Sequence, residues 1–493
     1  MINFALFYNH NFITTNYSHI LTKIKLVMRF KHLPVILLSG IILSAGSCGP
    51  KSSGADNPLF NDVSKKSSDV SGKFLLEWWN ALFSFVKTER LSPPDASRMF
   101  AYISVGVYEA QICGTPDYLT LEGQLNGLSD LPRPESDQVY DWTICASETM
   151  YLVQDAMMAR YFPAGVGVFN KLHDKQMEEC KAAGVPQDVI ERSRQYGKDL
   201  ADAIYEWSEL DSYTDTRYKQ YKAPTREGHP GLWEPTDFNQ TALEPFWGDH
   251  RTFFVKDGAQ CDIDKAPKYN GIGDTTGELY KQALKVYNVD ATLTEEQRTI
   301  AQYWADDPSE TSTPPGHWME IFGGFVKSED MKLDRAAEIY ALMTLAMNDA
   351  CITCWHTKYR VNLVRPKTVI RENIDPDWEP YVETPPFAGY TSGHSNFSSA
   401  AAVVLTSRLG DNLKFTDSTH VSIGLLPRSF DSFFAAAREA GYSRMYGGIH
   451  FDCDIDDGAE TGSCVGNYYI DNLKTSTKVQ GKKSDEAAAK KEG

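Results

Sequence analysis

The chain has 493 residues, with 49 Lys and Arg against 66 Asp and Glu, for a formal net charge of −17. That acidic surplus excludes general nucleic-acid binding, which leaves a basic footprint. It also makes any cluster of cations a local arrangement inside an acidic shell. The length admits two helical subdomains or one large domain, and 42% hydrophobic residues suffice for a folded core.

Met28 to Cys48 comes first. It carries Arg29 and Lys31, an apolar run from Leu33 to Leu43, and then small residues. These are the proportions of a signal peptide, too short and one-sided for a membrane span. Because it ends on Cys48, it resembles a bacterial lipoprotein signal. That resemblance implies a lipidated Cys48 and an exported protein, held to a membrane on its periplasmic or cell-surface side. Ala45 stands where such signals carry leucine, and a simple cleaved signal is the alternative. Residues 1–27 then read as an over-extended start, and 49–73 as a polar tether.

From Phe74 the apolar residues recur at helical intervals. LLEWWNALFSFVKTERL is the first helix, and SPPDASRMFAYISVGVYEAQI opens the second on a Pro pair. DWTICASETMYLVQDAMMARYF and PQDVIERSRQYGKDLADAIYEWSEL add two more, so 74–210 forms an N-terminal helical region. Residues 211–270 break character, with Tyr, Thr, Pro, Gly and Trp in place of a period, and an irregular connecting region is predicted over 211–290. Helical patterning resumes where Thr294 and Gln297 fit a capping box. KLDRAAEIYALMTLAMNDACITCWHTKYR follows as one long helix. Then come a helix from Ser-Gly-His to about Leu409, one in DSFFAAAREAG ended by Gly441, and a last one after His450. The second bundle is thus 291–475, and the charged tail 476–493 reads as disordered. No alternating pattern is long enough to build a sheet. The fold class is all-α, with two helical bundles.

Nine cysteines include Cys48. Cys351 and Cys354 lie one helical turn apart, and Cys453 and Cys464 are close in sequence. Neither spacing proves a bridge, and packed structural cysteines are expected.

Three short motifs carry the chemistry. KYRVNLVRP holds Lys358 and Arg365, TSGH holds Ser392, Gly393 and His394, and SRMYGGIH holds Arg444 and His450. Ser-Gly-His sits where a loop gives way to a helix, and a helix N-terminus attracts anions. Arginines suit tetrahedral oxyanions and lysine adds a point charge. Two histidines allow one to bond the central atom while the other moves a proton. Singly, each fragment could be a helix cap, a solvated charge or a structural histidine. Together, in order and tightly spaced, they point to an oxyanion site.

Lys-x6-Arg-Pro, Ser-Gly-His and Ser-Arg-x5-His resemble the signature of the type 2 phosphatidic acid phosphatase and vanadium-dependent haloperoxidase superfamily. The resemblance spans roughly Thr294 to Asn472, and SPPDASRMFAYISVGVYEA is similar to the N-terminal region of bacterial haloperoxidase-like members. Thr391 replaces the usual proline before Ser-Gly-His and could still cap the helix. The resemblance implies a C-terminal bundle of the haloperoxidase and acid-phosphatase type, with vanadate as cofactor and phosphate able to occupy the same site. His450 would bond the vanadium, or attack phosphorus in a phosphatase. Lys358, Arg365 and Arg444 would neutralise the oxyanion, Ser392 and the Gly393 N–H would donate hydrogen bonds, and His394 would be the acid–base group. Hydrogen peroxide and halide would be the substrates, with Lys358 polarising bound peroxide, and a small organic acceptor could follow.

Trp355 and Phe387 resemble the residues that flank the halide in fungal-type chloroperoxidases, although core packing is the commoner fate of aromatics. Asp307 resembles an aspartate that pairs with the second arginine, here Arg444. Asp454 is either an orienting group for His450 or a helix cap, and His317 is either near the pocket or structural. The same cage would serve an acid phosphatase acting through a phosphohistidine, or a protein that binds phosphate without turnover. The second histidine disfavours the last.

Overall fold

Helices supply nearly all the regular structure of the computed structural model, which describes residues 57–237 and 240–477. The signal-type segment ending at Cys48, the over-extended start, residues 49–56 of the expected tether and the tail beyond Thr477 lie outside the described residues. Residues 57–73 are not a free tether: Asn57 and Asn61 are buried and donate to the carbonyls of Ile112, Thr115, Glu135 and Gln138, which fastens this stretch to the fold. Among the described residues, no helix is long and apolar enough to cross a membrane.

In chain order the helices of the first half are α1 (Phe74–Thr88), α2 (Pro93–Ile112), α3 (Trp142–Tyr161), α4 (Asn170–Ala182), α5 (Gln187–Ser208) and the single turn α6 (Tyr213–Thr216). The second half has α7 (Glu278–Ala291), α8 (Glu295–Tyr303), α9 (Thr313–Ser328), α10 (Leu333–Val361), α11 (Pro366–Asn373), α12 (Gly393–Leu409), α13 (Phe433–Tyr446) and α14 (Asp452–Asn472). Local chemistry sets the ends. Ser92 caps α2 ahead of two prolines in its first turn. Thr294 and Gln297 form the expected capping box on α8. Asn362, in the left-handed conformation with φ 52°, ends α10.

Two bundles result. In the first, α2 packs on α3 and α5; in the second, α12 packs on α10, α13 and α14. They are not separate bodies, because α2 also lies along α10. One apolar core runs from Trp78 and Trp79 in α1 to Tyr469 in α14. Both α2 and α10 are buried almost throughout, which is why each reads as a continuous apolar and small-residue run instead of a one-sided stripe.

The closest helix crossing sets the position of the Ser-Gly-His turn. A Cβ at Gly462 in α14 would lie 2.1 Å from the Asn396 carbonyl of α12, and one at Gly458 would lie 2.8 Å from the Ser392 carbonyl. Neither backbone can yield cheaply, so these glycines let α12 ride directly on α14. Gly462→Ala is therefore expected to destabilise the fold by about 3 kcal/mol or more, the upper range of overpacking. Chemical denaturation of parent and variant measures it, and equal stability would show that α12 can move away freely.

Several details differ from the sequence reading. Gly441 does not end its helix; α13 runs on to Tyr446. A Cβ at Gly441 would come within 2.8 Å of Ser395 Oγ, so the glycine serves a crossing and not a stop. The connecting region 211–290 is irregular for most of its length, but its end is helical, as α7. Only Leu279, Ala283 and Val286 are buried there, a weak periodic signal. A two-stranded antiparallel hairpin, β1 (Phe415–Asp417) with β2 (Arg428–Phe430), is the one sheet among the described residues. Three residues per strand are too few to show an alternation.

Residues 211–270 cover the flank of α10. Asp349 of α10 accepts from the backbone N–H groups of Phe253, Phe254 and Val255 at 2.6, 2.8 and 3.1 Å, and from Tyr469 OH at 2.7 Å. A disulfide joins Cys261 in this stretch to Cys464 in α14. The nearness of Cys453 and Cys464 in sequence was misleading. Both sit on α14, and eleven helical residues separate them by about 16 Å, too far to bridge. Cys351 and Cys354 are free and buried, as packed cysteines.

Candidate active site

Five helix ends meet at one point. Lys358 lies in the last turn of α10 and Arg444 in the last turn of α13. Arg365 is the residue before α11, Ser392 caps α12, and His450 stands two residues ahead of α14. The N-termini of α11, α12 and α14 thus turn partial positive charge and free N–H groups toward the same space.

His450 is the centre of the arrangement. Its Nδ1 faces Asp454 Oδ2 at 2.9 Å, and Arg365 Nη1 donates to its Nε2 at 3.0 Å. This fixes the proton on Nδ1 and leaves the Nε2 lone pair facing the cage. Asp454 also accepts from the Phe451 N–H at 3.1 Å, while its own carbonyl accepts from the Ser392 N–H at 2.7 Å. One residue therefore orients the histidine and ties the second motif to the third. Arg365 is further held by the carbonyls of Phe387 and Ile449, each at 2.9 Å. Arg444 donates to Ser443 Oγ and to the Ala301 carbonyl, both at 3.1 Å.

The electrostatics call for an anion. Lys358, Arg365 and Arg444 are buried, and none forms an ion pair among the described residues. Burial lowers Lys358 below its ordinary value and brings Arg365 and Arg444 down to about 10. Burial and then the cations Arg365, Lys358 and Arg444 hold His450 well below its ordinary value. Burial, and next Arg444, take His394 to about 3. Buried cations are normally paired. Here Asp454, itself pushed upward by burial, is the carboxylate within the cage.

At the cage, the buried Arg365 Nη2 and His394 Nε2 have no partner among the described residues. At Gly393 a Cβ would meet only the Trp355 ring, at 3.7 Å. Nothing in the protein itself demands glycine there, and the space over the α12 N-terminus is left for a ligand. Three cations without a carboxylate partner, the free Arg365 Nη2 donor, the unpartnered His394 Nε2 and that open N-terminus fit a tetrahedral or trigonal-bipyramidal oxyanion.

The structure brings together Lys358, Arg365, Ser392, Gly393, His394, Arg444 and His450. It also corrects the expectations in three places. Asp307 makes no ion pair with Arg444; its charge still acts on that arginine, second only to burial. The neighbouring Asp306 is in the left-handed region, at φ 50°. Thr391 does not cap α12. Ser392 does, accepting from the Ser395 N–H at 3.3 Å, and Thr391 Oγ1 donates to Cys354 Sγ at 3.6 Å. Lys358 gives its three N–H bonds to the carbonyls of Ala388, Gly389 and Thr391, so it acts on the cage by charge while bracing the loop before Ser392.

Trp355 and Phe387 form a tilted pair, centroids 5.3 Å apart. Phe387 lies 4.9 Å from the Arg365 guanidinium and 5.0 Å from Lys358 Nζ, so the aromatic wall touches two of the cations. Leu243 completes that wall, its carbonyl accepting from Trp355 Nε1 at 3.4 Å and Tyr359 OH at 2.9 Å. No sequence signal marks Leu243, since the contact is made by backbone.

Fold and site together define an all-helical protein built around a buried oxyanion cage. The family model for the second helical-bundle domain of vanadium chloroperoxidase matches residues 338–478. The vanadium chloroperoxidase of Curvularia inaequalis is 28% identical over 254 residues, 42% of this chain and 41% of its own length, so this chain spans about two fifths of that relative. A bacterial vanadium-dependent iodoperoxidase structure superposes with TM-score 0.76 and 34% identity, over 83% of this chain and 98% of that one. An apo bacterial vanadium-dependent chloroperoxidase, at 16% identity and TM-score 0.56 over 77% of this chain and 94% of that one, shares the fold. The chain belongs to the vanadium haloperoxidase superfamily.

Proposed function

We propose that this chain is a vanadate-dependent haloperoxidase that oxidises halide with hydrogen peroxide to a hypohalous species. The observation that carries the reading is the cage of three buried, unpaired cations around an oriented, neutral His450. Vanadate bound there would supply a Lewis-acidic centre that activates peroxide without changing its own oxidation state. His450 would hold it through Nε2, with Asp454 keeping the other ring nitrogen protonated. Arg365, Arg444 and Lys358 would balance the anion's charge, with hydrogen bonds from Ser392 and the Gly393 N–H. His394 would hold or release a proton at Nε2, and Trp355 with Phe387 would exclude water from one side. Iodide is the proposed best halide, given the 34% identity to a protein described as an iodoperoxidase.

The test starts from protein stripped of bound anion in phosphate-free buffer. Halide oxidation is expected to be negligible until orthovanadate is added, to run faster with iodide than with bromide or chloride, and to be competed by phosphate. The rival reading, an acid phosphatase working through a phosphohistidine at His450, rests on the same cage. Fast hydrolysis of p-nitrophenyl phosphate by the stripped protein, with vanadate only inhibiting, would replace the first reading by the second.

An exported, lipid-anchored location is proposed from the Met28–Cys48 pattern. Cys48→Ser is expected to move the protein from the membrane fraction to the soluble one. A native N-terminus elsewhere, found unmodified by mass spectrometry, would refute the anchor.

A further inference from the structure

Beside the cage, a second polar cluster is not used by the proposed reaction. Asp306 sits in the turn after α8, His317 in the first half of α9, and His420 in the short 3-10 helix Thr419–Ile423 that follows β1. The three are 3%, 0% and 4% exposed. Their candidate ligand atoms all lie within 4.8 Å of one another.

We propose that Asp306, His317 and His420 bind a divalent transition-metal ion, zinc being the best fit to two imidazoles and a carboxylate, with a water from the adjoining cleft as fourth ligand. A purely ionic reading, in which a charged His317 bridges Asp306 and Asp417, explains only part of the geometry. His317 Nδ1 is 3.1 Å from both oxygens of Asp306, whereas a charge-assisted bond would be shorter and one-sided. His420 Nε2 lies 3.2 Å from Asp306 Oδ1, yet it makes no hydrogen bond and is an orphaned buried atom. Both separations suit neighbouring ligands of a tetrahedral ion, whose bonds of about 2.0–2.1 Å place adjacent donors roughly 3.3 Å apart.

The surroundings agree. His317 Nε2 donates to Asp417 Oδ2 at 2.8 Å, the carboxylate–histidine arrangement that fixes the tautomer of a metal-binding imidazole. A cleft of about 260 Å³ lined by Glu310, Ser312, Glu320 and Thr419 reaches His420 and gives the ion a path. The ion would clamp the turn after β1 to the turn that carries Asp307, whose charge acts on Arg444. This site is independent of what the cage binds.

The experiment uses the full chain, freed of metal with a chelator and titrated with Zn2+ alone by calorimetry, with Co2+ as a visible-absorption probe of tetrahedral binding. His450→Ala serves as background, so that zinc in the cage is not counted. One zinc per chain is expected, with a rise in Tm, in both the parent and His450→Ala. His420→Gln, changed in a short surface-proximal helix, is expected to lose more than about 100-fold in affinity, and Asp417→Asn about 10–100-fold. Less than one zinc per parent chain, no change in Tm on adding zinc to the parent, or equal affinity in His420→Gln would overturn the proposal.

Discussion

His450→Ala is expected to lose more than about 100-fold in vanadate affinity, beyond what removal of an outer partner of a metal ligand brings, and to leave no measurable halide oxidation. Nε2 of this histidine is the lone pair that the Asp454 contact at Nδ1 orients toward the cage; the three cations and the α12 N-terminus offer only N–H bonds and charge. The cations would remain, so weak anion attraction should persist and keep the variant folded. Asp454→Asn is the graded counterpart. It preserves shape but weakens control of the Nδ1 proton, and a loss of about 10–100-fold is expected. Equilibrium dialysis against orthovanadate measures both variants. Parent-like affinity in His450→Ala would remove this residue from the centre of the site and take the proposed chemistry with it.

His394→Ala should behave differently, with vanadate affinity reduced only modestly and kcat lowered by about 100- to 10,000-fold, the range of a lost acid–base group. The sign of its proton linkage can be worked out. Burial and Arg444 hold the free histidine at about 3, so it is neutral at pH 7. An oxyanion in the cage favours the charged imidazole and raises that value. Binding should therefore take up a proton wherever the pH lies between the two values, and affinity should rise as pH falls through that window. Calorimetry with inorganic phosphate in buffers of different ionisation enthalpy reads the uptake directly, and the His394→Ala variant should show none. An unchanged kcat, or the same uptake without the imidazole, would assign the proton to another group.

The seven cage residues were legible because their chemistry is local. Cation, glycine and histidine stand at fixed offsets within three short motifs, and each motif falls on a helix end that capping and periodicity reveal. What the sequence hid was long-range. Nothing near Asp307 says that its side chain stops short of Arg444, a separation that only the fold sets. Lys358 reads as a free cation, and only the fold shows three carbonyls taking its donors. Gly441 looked like a helix stop because punctuation and close packing demand the same residue. Leu243 and Asp349 act through backbone groups of distant segments, which no side-chain pattern encodes. The two bundles were readable as helices, but their shared core required knowing that α2 lies against α10.

The bond between Cys261 and Cys464 joins points 203 residues apart, and it can close only once the outer wall has settled on the last helix. Its formation is thus a receipt for completed folding. The wrong partner is near at hand in an unfolded chain, where Cys453 lies eleven residues from Cys464; once the helix is wound, the two are too far apart to pair. Production in a reducing host would yield chains with the helices in place and this clasp undone. A count of titratable thiols after denaturation would then sort finished molecules from unfinished ones before any assay of what the protein does.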